Sequence, residues 1–224
     1  MKRIGAWFLT LILIVSLSAC GNGNSGSDVV ISETSQKETQ TTATISDSTN
    51  EYGGSKKALV AYFSRAGENY GVGVIEKGNT EIVSEIIADE AGADIFRIQT
   101  VNTYPESYEE CTKVARQERD SGTRPELASA VANFDGYDVI YLGYPIWYGD
   151  MPMAVYTFLE SYDFTGKTIV PFCTHAGSGL ADTVNSIRSV CGGATVLSGL
   201  AIVGTTAQND TDGVRASVNA WIKK

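Results

Sequence analysis

Hydroxyl, glycine and amide residues that could bind a phosphate group follow the first apolar run of the sequence. Ser64 and Arg65 come directly after the apolar run 58–63, and a Gly-Asn-Thr sequence at 78–80 stands ahead of a helical pattern. Free backbone N–H groups at a helix N-terminus, together with the helix dipole, favour a bound anion. The alternative is an ordinary long loop between a strand and a helix. We predict that a phosphate is bound by Ser64, Arg65, Gly78, Asn79 and Thr80.

The same segment comes close to the phosphate loop of nucleoside triphosphatases but departs from it at a decisive position. Gly73 and Gly78 have the spacing of that loop, whereas Asn79 stands where the loop needs a lysine. That lysine reaches the terminal phosphates of the nucleotide. The sequence therefore argues against a nucleotidase.

Aromatic residues follow a later apolar run, 139–142, and could stack on a flat ligand. The segment 143–149 holds two tyrosines and a tryptophan between two glycines. Planar side chains at the end of a strand suit contact with a planar ring. The alternative is a hydrophobic plug over the end of the sheet. The residues that we predict to contact such a ring are Pro145, Ile146, Trp147 and Tyr148.

A loop of small residues after the run 168–173 could bring backbone N–H groups to ring carbonyls. Small residues let the chain approach a ligand closely. The loop is not a nucleophile elbow, because Gly-x-Ser-x-Gly would need glycine at Ala176. His175 is the one histidine of the chain, and a purely structural role is the alternative for it. The predicted ring-binding residues here are Thr174, His175, Ala176, Gly177, Ser178 and Gly179.

The elements that must position these loops alternate between strands and helices. Continuous apolar runs at 58–63, 139–142, 168–173 and 195–203 suit strands buried on both faces of a parallel sheet, and 94–98 suits an edge strand. Helical patterns lie between these runs. The order strand–helix, repeated five times, predicts a doubly wound α/β sandwich. Pro171 lacks an N–H group inside a central strand, so we expect a bulge there.

Four segments resemble the flavodoxins: Tyr62–Arg65, Pro145–Tyr148, Tyr156–Glu160 and Pro171–Gly179. The resemblance covers nearly all of residues 56–224 and implies an α/β three-layer sandwich around a five-stranded parallel sheet of order 2-1-3-4-5. It also implies FMN as the cofactor. Two departures stand out, because residues 66–77 are inserted into the phosphate loop and the tyrosine that stacks on the outer face of the flavin in many flavodoxins is missing.

The N-terminal residues have the pattern of an export signal. Lys2 and Arg3 precede an apolar stretch, and the following Leu-Ser-Ala-Cys sequence resembles the lipobox of bacterial lipoproteins. We expect a signal peptide at 1–19, a lipid on Cys20, a polar linker through 20–55 and one flavodoxin-like domain at 56–224. An uncleaved N-terminal anchor is the alternative. The domain should then lie on the extracytoplasmic side, anchored to the membrane.

Charge and composition argue against two classes of function, nucleic-acid binding and zinc binding. The formal net charge of −9 argues against nucleic-acid binding. The chain has no Cys-x-x-Cys pair and only one histidine, which argues against a zinc site. We predict an FMN-binding redox protein that transfers electrons between partners at the cell surface, the partner being a protein or a small-molecule acceptor. The alternatives are an FMN-dependent NAD(P)H:quinone-type oxidoreductase and a non-redox ligand-binding module. Few cations lie in the ligand loops to bind the phosphates of NAD(P)H, which favours an electron carrier over the oxidoreductase.

Overall fold

The computed structural model describes residues 56–223. The expected signal peptide 1–19, the lipidated Cys20 and the linker 20–55 lie outside the described residues. Among the helices that are described, none has both the length and the apolar character to cross a membrane.

Strands and helices alternate along the described residues. The strands are β1 (Ala58–Tyr62), β2 (Gly67–Asn69), β3 (Gly73–Ile75), β4 (Asp94–Arg97), β5 (Val139–Pro145), β6 (Thr168–His175), β7 (Thr195–Val196) and β8 (Leu200–Val203). The helices are α1 (Asn79–Ala91), α2 (Tyr108–Ser121), α3 (Met153–Glu160), α4 (Thr183–Val190), α5 (Gly204–Asn209) and α6 (Thr211–Ile222).

One parallel sheet has the order β4-β1-β5-β6, and β7 and β8 share the fifth position beside β6. Numbered in chain order, the five parallel positions are β1, β4, β5, β6 and the pair β7 and β8. The order across the sheet is therefore 2-1-3-4-5, and the predicted topology is confirmed. The central strands β1, β5 and β6 are buried almost throughout, as continuous apolar runs predict. β4 is a partly exposed edge strand, which confirms the prediction for 94–98.

Helices cover both faces of this sheet, because successive side chains of a strand point to opposite faces. Leu59 and Ala61 of β1 belong to a core that includes Phe158 of α3. Val60 and Tyr62 belong to a second core, against α1 and α6. Each fully buried Leu or Phe of these cores stabilises the fold by about 1.5–3 kcal/mol. The predicted three-layer sandwich is confirmed.

Pro171 lies in the middle of β6 without disturbing that strand. β6 pairs with β5 in one unbroken register from Val139 to Pro145, so the bulge predicted at Pro171 is wrong for β6. The bulge lies instead between β7 and β8, the two segments that pair with the outer side of β6. β6 pairs Thr168 with Thr195 of β7 but Phe172 with Leu200 of β8, so one extra residue lies between the two segments. The carbonyl of Ile169 accepts from the N–H of Leu197, and alternate residues of a strand face the same side. The nitrogen of Pro171 therefore faces the bulge, where a donor is not needed.

The inserted residues 66–77 form an antiparallel hairpin, β2–β3, rather than an open loop. The backbone N–H of Glu68 donates to the carbonyl of Glu106 at 2.9 Å. The guanidinium of Arg65 donates to the carbonyls of Ala66, Pro105 and Glu106 at 2.9–3.1 Å, and to that of Glu68. These bonds fix the hairpin to the segment that leads into α2, at the side of the sheet where β1 ends.

Candidate functional site

A cavity of about 380 Å³ opens at the edge of the sheet where the parallel strands end. Its walls come from the segments after β1, β5, β6 and β8, from the first residue of α1 and from one face of α2. Ligands of open α/β sheets bind at the carboxyl ends of the strands, where the strand order reverses. This cavity therefore lies where the fold is expected to hold a ligand.

Three hydroxyl side chains lie at or next to the cavity, and each has a hydrogen-bond partner in another part of the chain, although only Thr174 lines the cavity itself. The hydroxyls of Thr80 and Thr174 lie 2.8 Å apart, and Thr80 is only 1% exposed. The hydroxyl of Ser64 accepts from the N–H of Glu81 at 3.1 Å. We call the side chains of Ser64, Thr80 and Thr174 the polar floor.

Ser64 caps α1 from a different element of the fold. The helix has Gly78 at its N-cap, with no side chain to satisfy the first N–H groups. A Cβ at Gly78 would lie 2.1 Å from the hydroxyl oxygen of Ser64. Glycine is thus needed at 78 so that Ser64 can approach the helix end. The phosphate contacts predicted for these residues stay predictions, with the hydroxyls of Ser64 and Thr80 already held by protein partners.

Trp147 forms the inner aromatic wall of the cavity. Its ring packs edge-on against Phe63 and Tyr104, with ring centroids 5.3 and 5.2 Å apart and interplanar angles of 84° and 80°. Edge-to-face pairs of this kind contribute about 0.5–1.5 kcal/mol beyond the apolar area they bury. The indole is therefore held in a fixed orientation beside the cavity.

Tyr148 lies at the outer border of the cavity on a strained turn. Its φ of 52° is in the left-handed region, and Trp147 and Asp150 exchange backbone hydrogen bonds of 2.9 and 3.0 Å across the turn. The Tyr148 hydroxyl donates to the carbonyl of Thr112 in α2 at 3.0 Å. A non-glycine residue in this region costs about 1–3 kcal/mol, so its contacts with α2 must hold the turn in place.

Two arginines of α2 stack on Tyr148. The Cζ atoms of Arg116 and Arg119 lie 5.1 and 4.8 Å from the ring centroid. Arg119 is paired with Asp120, whereas Arg116 has no ion pair among residues 56–223. We call Arg116 and Arg119 the arginine pair, and the exposed rings of Tyr70, Tyr108 and Tyr148 the aromatic rim.

His175 lines the cavity with its imidazole held by its own loop. Nδ1 accepts from the backbone N–H groups of Gly177 and Gly179, at 2.9 and 3.2 Å. Burial lowers the pKa of His175 below its ordinary value. The N–H groups of Gly177 and Gly179, which were expected to reach a ring carbonyl, are thus occupied by the imidazole.

The structure brings most of the predicted site residues to the cavity: Arg65, Asn79, Pro145, Ile146, Trp147, Tyr148, Thr174, His175 and Ala176 line it. The remaining predicted residues, Ser64, Gly78, Thr80, Gly177, Ser178 and Gly179, do not line it. Arg65 uses its guanidinium mainly to hold the hairpin. Its Nε is buried and has no hydrogen-bond partner in the described part of the chain.

Sequence reasoning missed the α2 side of the cavity and the segment after β8. Tyr108, Cys111 and Ala115 line the cavity from one face of α2, and Val203 and its successors line it from the fifth strand. The carboxyl end of the last apolar run, 195–203, was a signal for this segment, because all parallel strands end at the same edge of the sheet. The face of α2 has the apolar spacing of a core helix, and only the fold shows that it borders a cavity. Burial raises the pKa of the Cys111 thiol, so this cysteine is a protonated part of the wall.

The model of the flavodoxin family matches residues 57–222. The chain therefore belongs to the flavodoxin family, which confirms the resemblance drawn from its loops. A search of curated protein sequences returned no significant match.

Solved structures of flavoproteins are similar to this chain. A candidate flavoprotein from Bacteroides uniformis is 29% identical, with 75% of this chain and 99% of that chain covered and a TM-score of 0.59. A second one, from Bacteroides eggerthii, is 26% identical over 74% of this chain and 97% of that chain, with a TM-score of 0.56. A flavoprotein in complex with FMN from Lactobacillus acidophilus shares the fold, with 21% identity, 70% of this chain and 99% of that chain covered, and a TM-score of 0.53.

Proposed function

We propose that this member of the flavodoxin family binds FMN in the cavity and carries electrons between redox partners. The observation that carries the proposal is the cavity itself, which joins a helix N-terminus at one end to an aromatic wall at the other. FMN, when bound, supplies one- and two-electron redox chemistry. The role of the protein is to bind the cofactor, to orient it and to set its electrostatic surroundings. The solved FMN complex of the Lactobacillus protein, which has the same fold, supports this assignment.

The residues present fit FMN. The cavity volume of about 380 Å³ lies within the range of about 300–1,000 Å³ that small-molecule sites occupy. Arg65 offers a buried Nε–H without a partner in the described chain, which suits an anionic group. Asn79, the first residue of α1, lines the cavity at the positive end of the helix dipole. The residues that would hold the ring are Ile146, Trp147, Tyr148, Thr174, His175 and Ala176.

The border of the cavity supports a role in electron transfer to another molecule. Tyr70 is 67% exposed and Tyr148 is 40% exposed, although large aromatic side chains are usually well buried. Exposed apolar surface around a ligand site indicates contact with a partner, either a redox protein or a small-molecule acceptor. A bound ring would then lie within reach of that partner.

An absorption spectrum tests the proposal. The purified full chain, in mild detergent, is expected to show a flavin spectrum, or to acquire a shifted and quenched one when FMN is added. Riboflavin, which lacks the phosphate, is the control and should bind more weakly. A colourless chain that leaves the spectrum and fluorescence of added FMN unchanged would contradict the proposal and favour a non-redox ligand-binding module.

The arginine pair favours a second candidate, an FMN-dependent NAD(P)H:quinone-type oxidoreductase. The sequence placed few cations in the ligand loops, but α2 brings Arg116 and Arg119 to Tyr148 at the border of the cavity. Cations there would attract the phosphates of a nicotinamide dinucleotide. Turnover of NADPH and a quinone by the FMN-loaded chain, well above that of free FMN, would support this candidate. Fast reduction only after a separate flavoprotein reductase is added would support the carrier.

We also propose that the chain is exported and anchored to the membrane by a lipid on Cys20. The positive start, the apolar stretch and the Leu-Ser-Ala-Cys sequence support this. Cys20→Ser should yield a chain that no longer partitions with membranes. An unmodified Cys20 in the mass spectrum of the wild-type protein would contradict the proposal.

A further inference from the structure

The loop after β6 is built around one ring nitrogen of His175. Gly177 and Gly179 have φ values of 123° and 59°, a region that side chains other than glycine rarely adopt. In this conformation both of their N–H groups converge on Nδ1, at 2.9 and 3.2 Å. Two donors on one nitrogen require that its lone pair accept both bonds.

The two bonds determine where the proton of the imidazole lies. Because Nδ1 is an acceptor, a neutral ring must carry its proton on Nε2. The described part of the chain forms no hydrogen bond to Nε2. His175 therefore offers one N–H donor, on the ring nitrogen that its own loop leaves free.

The surroundings of His175 keep the ring neutral. The charged and titratable side chains that line the same cavity are Arg65, Tyr70, Tyr108, Cys111 and Tyr148, and no carboxylate of the described chain lines it. A protonated ring would thus lack an anionic partner and would turn an N–H at Nδ1 toward two other N–H groups. Burial lowers the pKa of His175, and this lowering also favours the neutral ring.

We propose that His175, fixed in its Nε2–H tautomer, is the hydrogen-bond donor that the cavity offers to a carbonyl oxygen of a planar ligand. This inference rests on the proposed function, which brings such carbonyls into the cavity. The carbonyl belongs to the flavin ring or to a quinone that binds beside it, and the two share the chemistry that an imidazole N–H recognises. His175 is a binding and positioning residue, since it holds an oxygen in place through a single N–H.

Two substitutions separate the two nitrogens of His175. In His175→Asn the side-chain oxygen can replace Nδ1 as the acceptor for the loop, but nothing replaces the Nε2–H donor. In His175→Gln the longer amide can place an N–H near the position of Nε2, but the acceptor for the loop is lost. A purely structural histidine would be replaced better by asparagine, and a donor to a ligand better by glutamine.

Nitrogen NMR of the FMN-free full chain tests the tautomer. The chain has one histidine, so ¹⁵N-histidine labelling gives one pair of ring signals without assignment. We expect a protonated Nε2, an unprotonated Nδ1 and a titration midpoint below that of free histidine. Backbone exchange at Gly177 and Gly179 should stay slow in His175→Asn and become faster in His175→Gln. A proton on Nδ1 at neutral pH would overturn the proposal.

Binding measurements test the donor and identify its acceptor. Loss of one neutral hydrogen bond should weaken binding about three- to tenfold, and His175→Asn should show this while His175→Gln retains part of the affinity. If the flavin accepts the bond, FMN and riboflavin are weakened equally. If a quinone accepts it, FMN affinity is unchanged and binding of menadione to the FMN-loaded chain is weakened.

The outcomes distinguish this proposal from the proposed function. A wild-type chain that binds no flavin would overturn the proposed function, whatever the tautomer of His175. A chain that binds flavin and menadione equally well before and after His175→Asn would overturn the donor role alone.

Discussion

The polar floor, of which only Thr174 lines the cavity, and the aromatic rim at the border of the cavity are built in opposite ways. The hydroxyls of Thr80 and Thr174 bond to each other below the cavity, and Ser64 caps α1, so each floor group already has a partner in the fold. The rim exposes the rings of Tyr70 and Tyr148 to solvent. Groups that are buried and satisfied hold a structure together, whereas exposed rings remain available to another molecule.

This difference assigns two kinds of effect to two sets of residues. Changes in the floor should lower the free energy of unfolding, because they leave a buried polar group without a partner. Changes at the rim should alter stability less and change binding. Substitutions in each set can therefore show whether stability and binding are separated in this way.

The threonine pair of the floor should give the largest effect. Thr80→Val or Thr174→Val alone should lower the free energy of unfolding by about 1–3 kcal/mol, since the remaining buried hydroxyl loses its partner. The double variant should cost less than the sum of the two, because both hydroxyls are then gone. Urea unfolding of the three variants measures this. Additive losses would show that the two hydroxyls do not depend on each other.

Removal of the Ser64 hydroxyl that caps α1 should lower the free energy of unfolding by a smaller amount. Ser64→Ala should lower the free energy of unfolding by about 0.5–2 kcal/mol, because the N–H of Glu81 loses its acceptor. Ser189→Ala on the exposed surface of α4 is the matched control and should change stability by no more than about 0.5 kcal/mol. Equal losses in the two variants would mean that Ser64 does not cap α1.

The arginine pair should affect binding, with a modest change in stability. Replacing Arg116 and Arg119 together by Gln should lower the free energy of unfolding by about 1 kcal/mol, because both side chains stack on Tyr148. The affinity of the FMN-loaded chain for NADPH should fall about two- to fivefold at low salt and less at high salt, as for exposed charges. Replacing Lys56 and Lys57 together by Gln, at the opposite end of the sheet, is the control of equal charge change. An unchanged affinity would show that the arginine pair does not attract NADPH, and the pair would then no longer favour a reductase.

The pH dependence of stability should show the smallest effect, at His175. Burial lowers its pKa in the folded chain, so below pH about 6.5 the unfolded chain binds a proton more readily than the folded one. Stability from this group is therefore complete above that pH and decreases as the pH falls through the folded pKa. Wild type should lose stability relative to His175→Asn over this range. Parallel pH profiles would contradict a depressed pKa.

The strands of the sheet could be predicted from the sequence because their signals are local, whereas their order came from the resemblance to the flavodoxins. Runs such as 58–63 and 168–173 are apolar without interruption, and only strands buried on both faces need this. The loops at 145–148 and 174–179 could be placed together because parallel strands end at one edge of the sheet. The fold and the general position of the site therefore follow from patterns within short segments.

The partners of individual polar groups could not be predicted, because they come from distant parts of the chain. Thr80 was expected to face a phosphate, yet its hydroxyl bonds to Thr174, 94 residues away. A hydroxyl beside a glycine looks the same in sequence whether it faces a ligand or another hydroxyl. The hairpin β2–β3 was missed for a related reason, since its strands are three residues long and are fixed by the distant contacts of Arg65.

The extra residue between β7 and β8 also affects how the sheet meets other chains. An open sheet edge presents unpaired N–H and C=O groups that can recruit a further strand and start aggregation. Here the outer edge consists of two short segments whose pairing offsets to β6 differ by one residue. A strand added in register with one segment would be out of register with the other. The bulge that accommodates Pro171 therefore also protects this edge against edge-to-edge association.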